Sequence, residues 1–364
     1  MDINIIDRAK QQFLGGLSLF FFCMVALCLL FFYFEITWAF LLTLFIVGVA
    51  LLLEGADWVV YGSTRLARFL GVSPVVVGLT LVAFGTSIPE LAVTIFASIT
   101  GKSSIALGNI VGSNIANVGL IAGLTAMVSP LLVQSFTVML EAPFMMLASV
   151  LLFVLSFRLF DMGSADYVLG KLDGVVLLLF FLMFLVYTYK RASKKESKSV
   201  EKKFASEFGT GVIKICRTFL VFIVGFICVF LGAKFMVFSG SEIARGLGVS
   251  EAIIALTVIA VGTSLPELMV SIVAIMKKEY DLVVGTVIGS NIINILLIGG
   301  IASLLGPMIV DVHMVFVDII VLILFAVFFQ VFITTDKKVT RIEGAVLFLG
   351  YLAYIFYLGW YAFV

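Results

Sequence analysis

The sequence predicts an all-α polytopic membrane protein: ten core transmembrane helices in two inverted five-helix repeats, plus one extra N-terminal helix. Three observations lead there. Of 364 residues, 63% are hydrophobic and 12% charged, with a mean hydropathy of +1.25, whereas soluble domains run at about 45–50% apolar and 25% charged. Apolar stretches long enough to cross a bilayer, about 20 residues each, recur along the whole length and number 11. Finally, "GVSPVVVGLTLVAFGTSIPEL" (Gly71 to Leu91) returns as "GVSEAIIALTVIAVGTSLPEL" (Gly248 to Leu268) at a constant offset of 177 residues. The apolar runs show no period-two alternation, so they read as helices rather than barrel strands.

The chain divides into an N-terminal helix (1–35), a first repeat (36–190), a basic loop (191–215) and a second repeat (216–364). The first span, Phe13–Phe34, follows Arg8 and Lys10 as a signal peptide would, but its apolar run is long and no small-residue cleavage site follows. It is read as a true helix. The four cysteines, Cys23, Cys28, Cys216 and Cys228, fall in or beside apolar segments without metal-binding spacing and read as packing residues. The single histidine, His313, sits near a loop.

Basic residues set the orientation, because positively charged loops stay in the cytoplasm. The segment "YKRASKKESKSVEKK" carries Lys190, Arg191, Lys194, Lys195, Lys198, Lys202 and Lys203. Counting helices outward from it also places Arg65, Arg68, Lys277, Lys278, Lys337, Lys338 and Arg341 inside. Only Lys102, Arg158, Lys171 and Arg245 fall outside. The expectation is a plasma-membrane protein with a cytoplasmic N-terminus and an external C-terminus. The basic loop reads as a solvated topological determinant rather than a nucleic-acid or lipid site.

The 177-residue offset also carries "GNIVGSNIANVG" (Gly108 to Gly119) onto "GTVIGSNIINIL" (Gly285 to Leu296), and Pro130 onto Pro307. Farther on, "KLDGVVLLLFFLMFL" pairs with "RIEGAVLFLGYLAYI" at an offset of 170. With five helices per copy, the second copy starts on the opposite side of the membrane. Inverted repeats of this kind build the midplane sites of secondary transporters.

Each copy places oxygen chemistry in its most apolar surroundings. Pro89 and Pro266 break a helix, which is expected to free the carbonyls around Ala83 and Ala260. Beside them stand Thr86, Ser87 and Glu90, and in the second copy Thr263, Ser264 and Glu267. The next helix adds Ser113 and Asn117, four apart on one face, repeated as Ser290 and Asn294. Hard cations such as Ca²⁺ and Na⁺ take oxygen ligands of these kinds, while soft metals would want the missing sulfur and imidazole. Across a pseudo-two-fold axis, Glu90 and Glu267 would face each other. The plainer reading of Gly-Thr-Ser-x-Pro is a kink with hydroxyls bonded back to the helix, and Gly108, Gly112 and Gly119 read best as close-packing positions. An intramembrane carboxylate resists the plain reading, because burying one costs about 2.5–3.5 kcal/mol even on mild insertion scales. Glu141 and Asp318, also related by 177, are assigned to helix ends or cavity mouths. Glu54 and Asp57 map onto Leu231 and Lys234, so the symmetry is broken there.

The paired "GTSIPEL … GNIVGSNIAN" and "GTSLPEL … GTVIGSNIIN" resemble the two alpha-repeats of the sodium/calcium exchanger family, within the cation/calcium antiporter superfamily, in its prokaryotic form. The resemblance covers nearly the whole chain beyond the first span. It implies a secondary antiporter exchanging Na⁺ for Ca²⁺ by alternating access, and not an enzyme. It further implies a cation site of Thr86, Ser87, Glu90, Ser113, Asn117, Thr263, Ser264, Glu267, Ser290 and Asn294, completed by the carbonyls of Ala83 and Ala260. Ca²⁺ and Na⁺ would be the transported ligands, with no cofactor. The partners expected from the sequence are the lipid bilayer and no nucleic acid, and a monomeric chain is the working expectation although the sequence does not fix the oligomeric state. Several relatives have aspartate where Asn294 stands, and a carboxylate there goes with potassium use, so Asn294 implies potassium independence. The alternatives are an antiporter of the same build coupled to H⁺ or another cation, and a channel or structural membrane protein.

Overall fold

The structure is a computed structural model that describes residues 38–70, 74–101, 103–133, 137–156, 167–195, 212–247, 262, 264–310 and 312–363. The expected N-terminal helix, with Cys23 and Cys28, lies outside the described residues. In chain order the elements are α1 (Trp38–Leu70), α2 (Pro74–Val77), α3 (Ala83–Thr86), α4 (Ile88–Ile99), α5 (Ser103–Ala116), α6 (Gly123–Val128), β1 (Leu131–Leu132), α7 (Ala142–Ser156), β2 (Tyr167–Leu169), α8 (Lys171–Lys195) and α9 (Val212–Gly246). There follow α10 (Leu265–Met276), α11 (Tyr280–Ile292), α12 (Gly299–Leu305), β3 (Met308–Val310), α13 (Ile319–Asp336), β4 (Lys338–Val339) and α14 (Arg341–Phe363).

Among the described residues eight helices are long and apolar enough to cross a membrane, or nine if the pair Val75–Thr86 and Ile88–Ile99, bent by 49°, forms one span. Leu265–Met276 is a shorter apolar helix. Helical structure reaches into both ends of the expected 191–215 loop, because α8 runs to Lys195 and α9 starts at Val212. Arg, Ala and Lys are good helix formers, so a helix need not stop where its apolar stretch does.

Repeat-equivalent helices run antiparallel. A Cβ on Gly48 would lie 2.9 Å from the Gly232 carbonyl, and one on Gly225 would lie 3.0 Å from the Gly55 carbonyl. As residue numbers rise along α1 they fall along α9, and the 177-residue offset exchanges the two contacts. This is the reciprocal pattern of a two-fold relation, with glycines letting backbones meet as membrane helices favour. The short strands repeat the theme, with β1 paired antiparallel to β4 and β2 to β3, always across the repeats.

The core lies around the second-motif helices. The span Tyr280–Leu305 is 94% buried and Ile105–Val128 is 78% buried, while the other intact spans range from 17% to 44%. This explains why those two segments are apolar all round and rich in glycine: they face protein, not lipid. Gly285 and Gly289, the repeat equivalents of Gly108 and Gly112, are closely packed, since added Cβ atoms would lie 2.6 Å from the carbonyls of Val75 and Leu79 respectively. Gly119 packs equally tightly on Phe325 and Tyr351. The close-packing expectation holds for Gly119 but fails for Gly108 and Gly112 among the described residues, where a Cβ on Gly108 would meet only Met314 at 3.9 Å and one on Gly112 nothing within 4 Å.

Candidate cation site

The first-motif span of the first repeat is broken where the sequence placed its proline. Ser87 (φ −82°, ψ 7°) separates α3 from α4, with Pro89 in the first turn of α4. Ser264 (φ −91°, ψ 5°) leads into α10 in the same way, with Pro266 in its first turn. Proline suits that place because its missing N–H has no intrahelical acceptor there. The two carboxylates, Glu90 and Glu267, therefore sit in first turns, where exposed N–H groups favour negative charge.

One expectation fails. The Ala83 carbonyl is not bare, because it accepts the Ser87 backbone N–H at 3.0 Å and the Thr86 hydroxyl at 3.3 Å. Proline withdraws its own N–H from the carbonyl four residues earlier, which is Gly85, so the break does not release Ala83. Ala260 and Thr263 lie outside the described residues.

The remaining predicted residues among those described are buried. Relative exposure is 1% for Glu90 and 2% for Glu267, and Thr86, Ser87, Ser113, Asn117, Ser264, Ser290 and Asn294 are all buried too. The halves interlock, since Ser87 donates to Glu267 Oε1 at 3.4 Å. Thr86 also lies beside the Glu267 carboxylate, and Glu90 and Glu267 are within electrostatic reach of each other. α11 delivers Ser290 from across the repeats, because Gly289 presses against Leu79 and Ala83 at the broken span.

Both second motifs pass into a wider helical turn where their asparagines stand. The π-helical stretches Asn117–Ala122 and Ile293–Ile298 follow α5 and α11, and such turns inside α-helices are frequent at functional sites.

The polar atoms of this cluster are conspicuously unsatisfied. Glu90 Oε2, Glu267 Oε2, the Ser264 and Ser290 hydroxyls, and both Oδ1 and Nδ2 of Asn294 are buried without a hydrogen-bond partner. Buried polar atoms in folded proteins are nearly always paired, and each orphan costs about 1–3 kcal/mol. Five of the six are oxygens, from two carboxylates, two hydroxyls and an amide, as a hard cation would want. Among the described residues no group of three or more His, Cys, Asp or Glu could hold a metal ion, so such a site has to rely on neutral oxygens around two charges.

Several neighbours escaped the motif reading. Asn109 donates to the Glu90 backbone carbonyl at 3.1 Å and to Thr94 at 2.9 Å, and Asn117 donates to Asn291 at 2.9 Å. Asn291 is visible in "GSNIIN", but one step from Ser290 it lies on a different face of its helix, and only packing reveals its partner. Elsewhere, Asp318 accepts from Tyr354 at 2.9 Å and lies 3.4 Å from His313, whose other ring nitrogen is 2.9 Å from the Tyr357 hydroxyl. Asp57 pairs with Lys277 at 2.5 Å. Cys228 is buried, as a packing residue should be, and Cys216 is exposed.

Two buried carboxylates and unpartnered buried oxygens from both repeats, inside a multi-pass membrane protein, are what a cation carrier would need. The chain belongs to the sodium/calcium exchanger family, whose profile, described as "Sodium/calcium exchanger protein", matches residues 40–190 and 217–360. It is 34% identical over 347 residues to the sodium/calcium exchanger MaX1 of Methanosarcina acetivorans, covering 85% of this chain and 96% of that one. It is also 33% identical over 322 residues to the inner membrane protein YrbG of Escherichia coli, covering 87% and 96%. A solved structure of the sodium-calcium exchanger NCX_Mj, soaked with 10 mM Na⁺ and zero Ca²⁺, superposes with a TM-score of 0.75 at 31% identity, covering 86% of this chain and 97% of that one. The family is one of transporters of Na⁺ and Ca²⁺, and this chain is a member that carries cations by antiport.

Proposed function

We propose that the protein exchanges Na⁺ for Ca²⁺ across the plasma membrane by alternating access, with its N-terminus in the cytoplasm and its C-terminus outside. The observation that carries this reading is the set of buried, partnerless oxygens contributed by both repeats around Glu90 and Glu267. The site comprises Thr86, Ser87, Glu90, Ser113, Asn117, Thr263, Ser264, Glu267, Ser290 and Asn294. The carbonyl of Ala260 joins it.

Charge explains coupling. Two carboxylates away from water are costly unless neutralised, so the empty carrier crosses reluctantly. One Ca²⁺ balances both charges, as do two Na⁺. A third Na⁺ leaves one positive charge, whose movement across the full membrane potential is worth about 2.3 kcal/mol per 100 mV. Because both ions answer to the same pair of charges, they compete, and the protein moves one way loaded with Ca²⁺ and back loaded with Na⁺. With an amide at Asn294 in place of a third carboxylate, neutralisation needs no K⁺.

The test is Ca²⁺ uptake into proteoliposomes loaded with Na⁺ and diluted into Na⁺-free buffer at equal pH inside and out. Uptake that requires the Na⁺ gradient supports the reading. Uptake indifferent to Na⁺ but driven by an imposed pH gradient replaces it with proton coupling.

A further inference from the structure

We propose that Asn291 is a positioning residue that holds Asn117 as a fixed oxygen ligand for the transported cation, and that its repeat equivalent Asn114 has no such role. The two cage asparagines, Asn117 and Asn294, are then not interchangeable. The inference rests on the reading of the cage as a Ca²⁺ and Na⁺ site.

An asparagine side chain offers an acceptor oxygen and a donor NH₂ group on opposite corners of one plane. Beside a carboxylate, an unheld amide can turn its NH₂ toward the negative charge and its oxygen away. It becomes a reliable cation ligand when its NH₂ group is engaged elsewhere. That engagement exists for Asn117, whose Nδ2 donates to Asn291 Oδ1 at 2.9 Å. Asn291 is itself anchored, since its Nδ2 donates to Met145 Sδ at 3.3 Å. A chain of three side chains from α7, α11 and the π-turn after α5 thus fixes the direction of one ligand, and Met145, Asn291 and Asn117 are all buried.

The 177-residue offset supplies an internal comparison. It maps Asn117 onto Asn294, Asn291 onto Asn114, and Met145 onto Leu322. Leucine cannot accept a hydrogen bond, and the mirror-image chain is absent. Asn114 instead donates back into its own helix, to the Ile110 carbonyl at 2.8 Å, and both polar atoms of Asn294 are left without partners. The sequence difference between Met145 and Leu322 coincides with the difference in geometry. Asn117 is the fixed ligand, and Asn294, with neither polar atom held by a partner, is the adaptable one.

The test uses the full-length protein in detergent for Ca²⁺ binding by calorimetry, and in Na⁺-loaded proteoliposomes for uptake kinetics. Asn291→Ala and Asn114→Ala are matched truncations at equivalent buried positions, so cavity effects are comparable and the bond to Asn117 is what differs. Asn291→Ala should weaken Ca²⁺ binding and raise KM by about tenfold, the value of one hydrogen bond near a charge, with kcat within about twofold of wild type. Asn114→Ala should leave both within about twofold. Met145→Leu, which conserves volume and copies the other repeat, should weaken binding in the same direction by about two- to threefold, and it serves if Asn291→Ala does not fold. Equal losses from Asn291→Ala and Asn114→Ala, no loss from Asn291→Ala, or a loss confined to kcat would overturn the positioning role. Wild-type protein that binds no Ca²⁺ would instead remove the reading of the cage, and the inference with it.

Discussion

Gly289 offers a perturbation whose size can be worked from distances. A Cβ there would lie 2.6 Å from the Leu79 carbonyl oxygen, 2.7 Å from Leu79 Cα and 2.8 Å from Ala83 Cβ. Two of these three atoms are backbone and the third is rigidly attached to it, so no side chain can swing aside. Bringing the contacts to ordinary separations requires α11 to retreat from the broken span by about 0.9 Å. Overpacking of this kind costs about 1–3 kcal/mol. The functional cost follows because Ser290 is the next residue and Asn294 stands just over one turn on, while cation ligands tolerate only about 0.2 Å of misplacement. A 1 Å error in a working site can cost about a hundredfold, so Gly289→Ala should raise the KM for Ca²⁺ at least about tenfold while the protein remains folded. Uptake kinetics, paired with thermal unfolding in detergent, read the two effects separately. Gly359→Ala, where a Cβ meets nothing within 4 Å, should change neither. Wild-type KM in Gly289→Ala would refute the claim that α11 is pressed against the break to place its ligands.

Three further outcomes follow from the same geometry. Asn294→Asp adds a third carboxylate, so the Ca²⁺-loaded cage carries a net negative charge, and Ca²⁺ uptake should become stimulated by a monovalent cation such as K⁺; uptake measured with and without K⁺ decides it. Gly55→Val should destabilise the detergent-solubilised protein by at least about 1–3 kcal/mol, because its Cβ would lie 2.8 Å from both the Gly225 carbonyl and the Val229 nitrogen on α9. Asp57→Ala should shift stability by no more than about 1 kcal/mol in the same unfolding assay, since its pairing with Lys277 joins side chains that are 44% and 36% exposed.

Much of this protein is legible before folding because the membrane constrains it so tightly. Spans must be helical and apolar, so composition alone exposes them, and a duplication preserved at a fixed offset of 177 exposes the relation of the halves. The antiparallel meeting of Gly48 with Gly232 and Gly55 with Gly225 is the structural form of that offset. The carboxylates Glu90 and Glu267 stand out in the sequence for an energetic reason, because burying charge in a membrane is costly, and both are buried. The carbonyl of Ala83 was misread because a proline's effect was placed on the wrong acceptor. The supports of the site were beyond sequence reasoning for another reason. Asn109 has threonine, Thr286, as its repeat equivalent, and Met145 has Leu322, so the repeat comparison that exposed the cage passes over them. Their roles depend on contacts across elements far apart in the chain, 15 residues for Asn109 with Thr94 and 146 for Asn291 with Met145.

The central claim is that Na⁺ and Ca²⁺ compete for one cage whose charge comes from Glu90 and Glu267. The most direct measurement is calorimetric Ca²⁺ binding to the purified protein at increasing Na⁺, for the wild type and for Glu90→Gln and Glu267→Gln. The prediction is saturable Ca²⁺ binding whose affinity falls steadily with Na⁺, and its loss in both folded variants. Ca²⁺ binding that ignores Na⁺, or that survives intact in either variant, would contradict it.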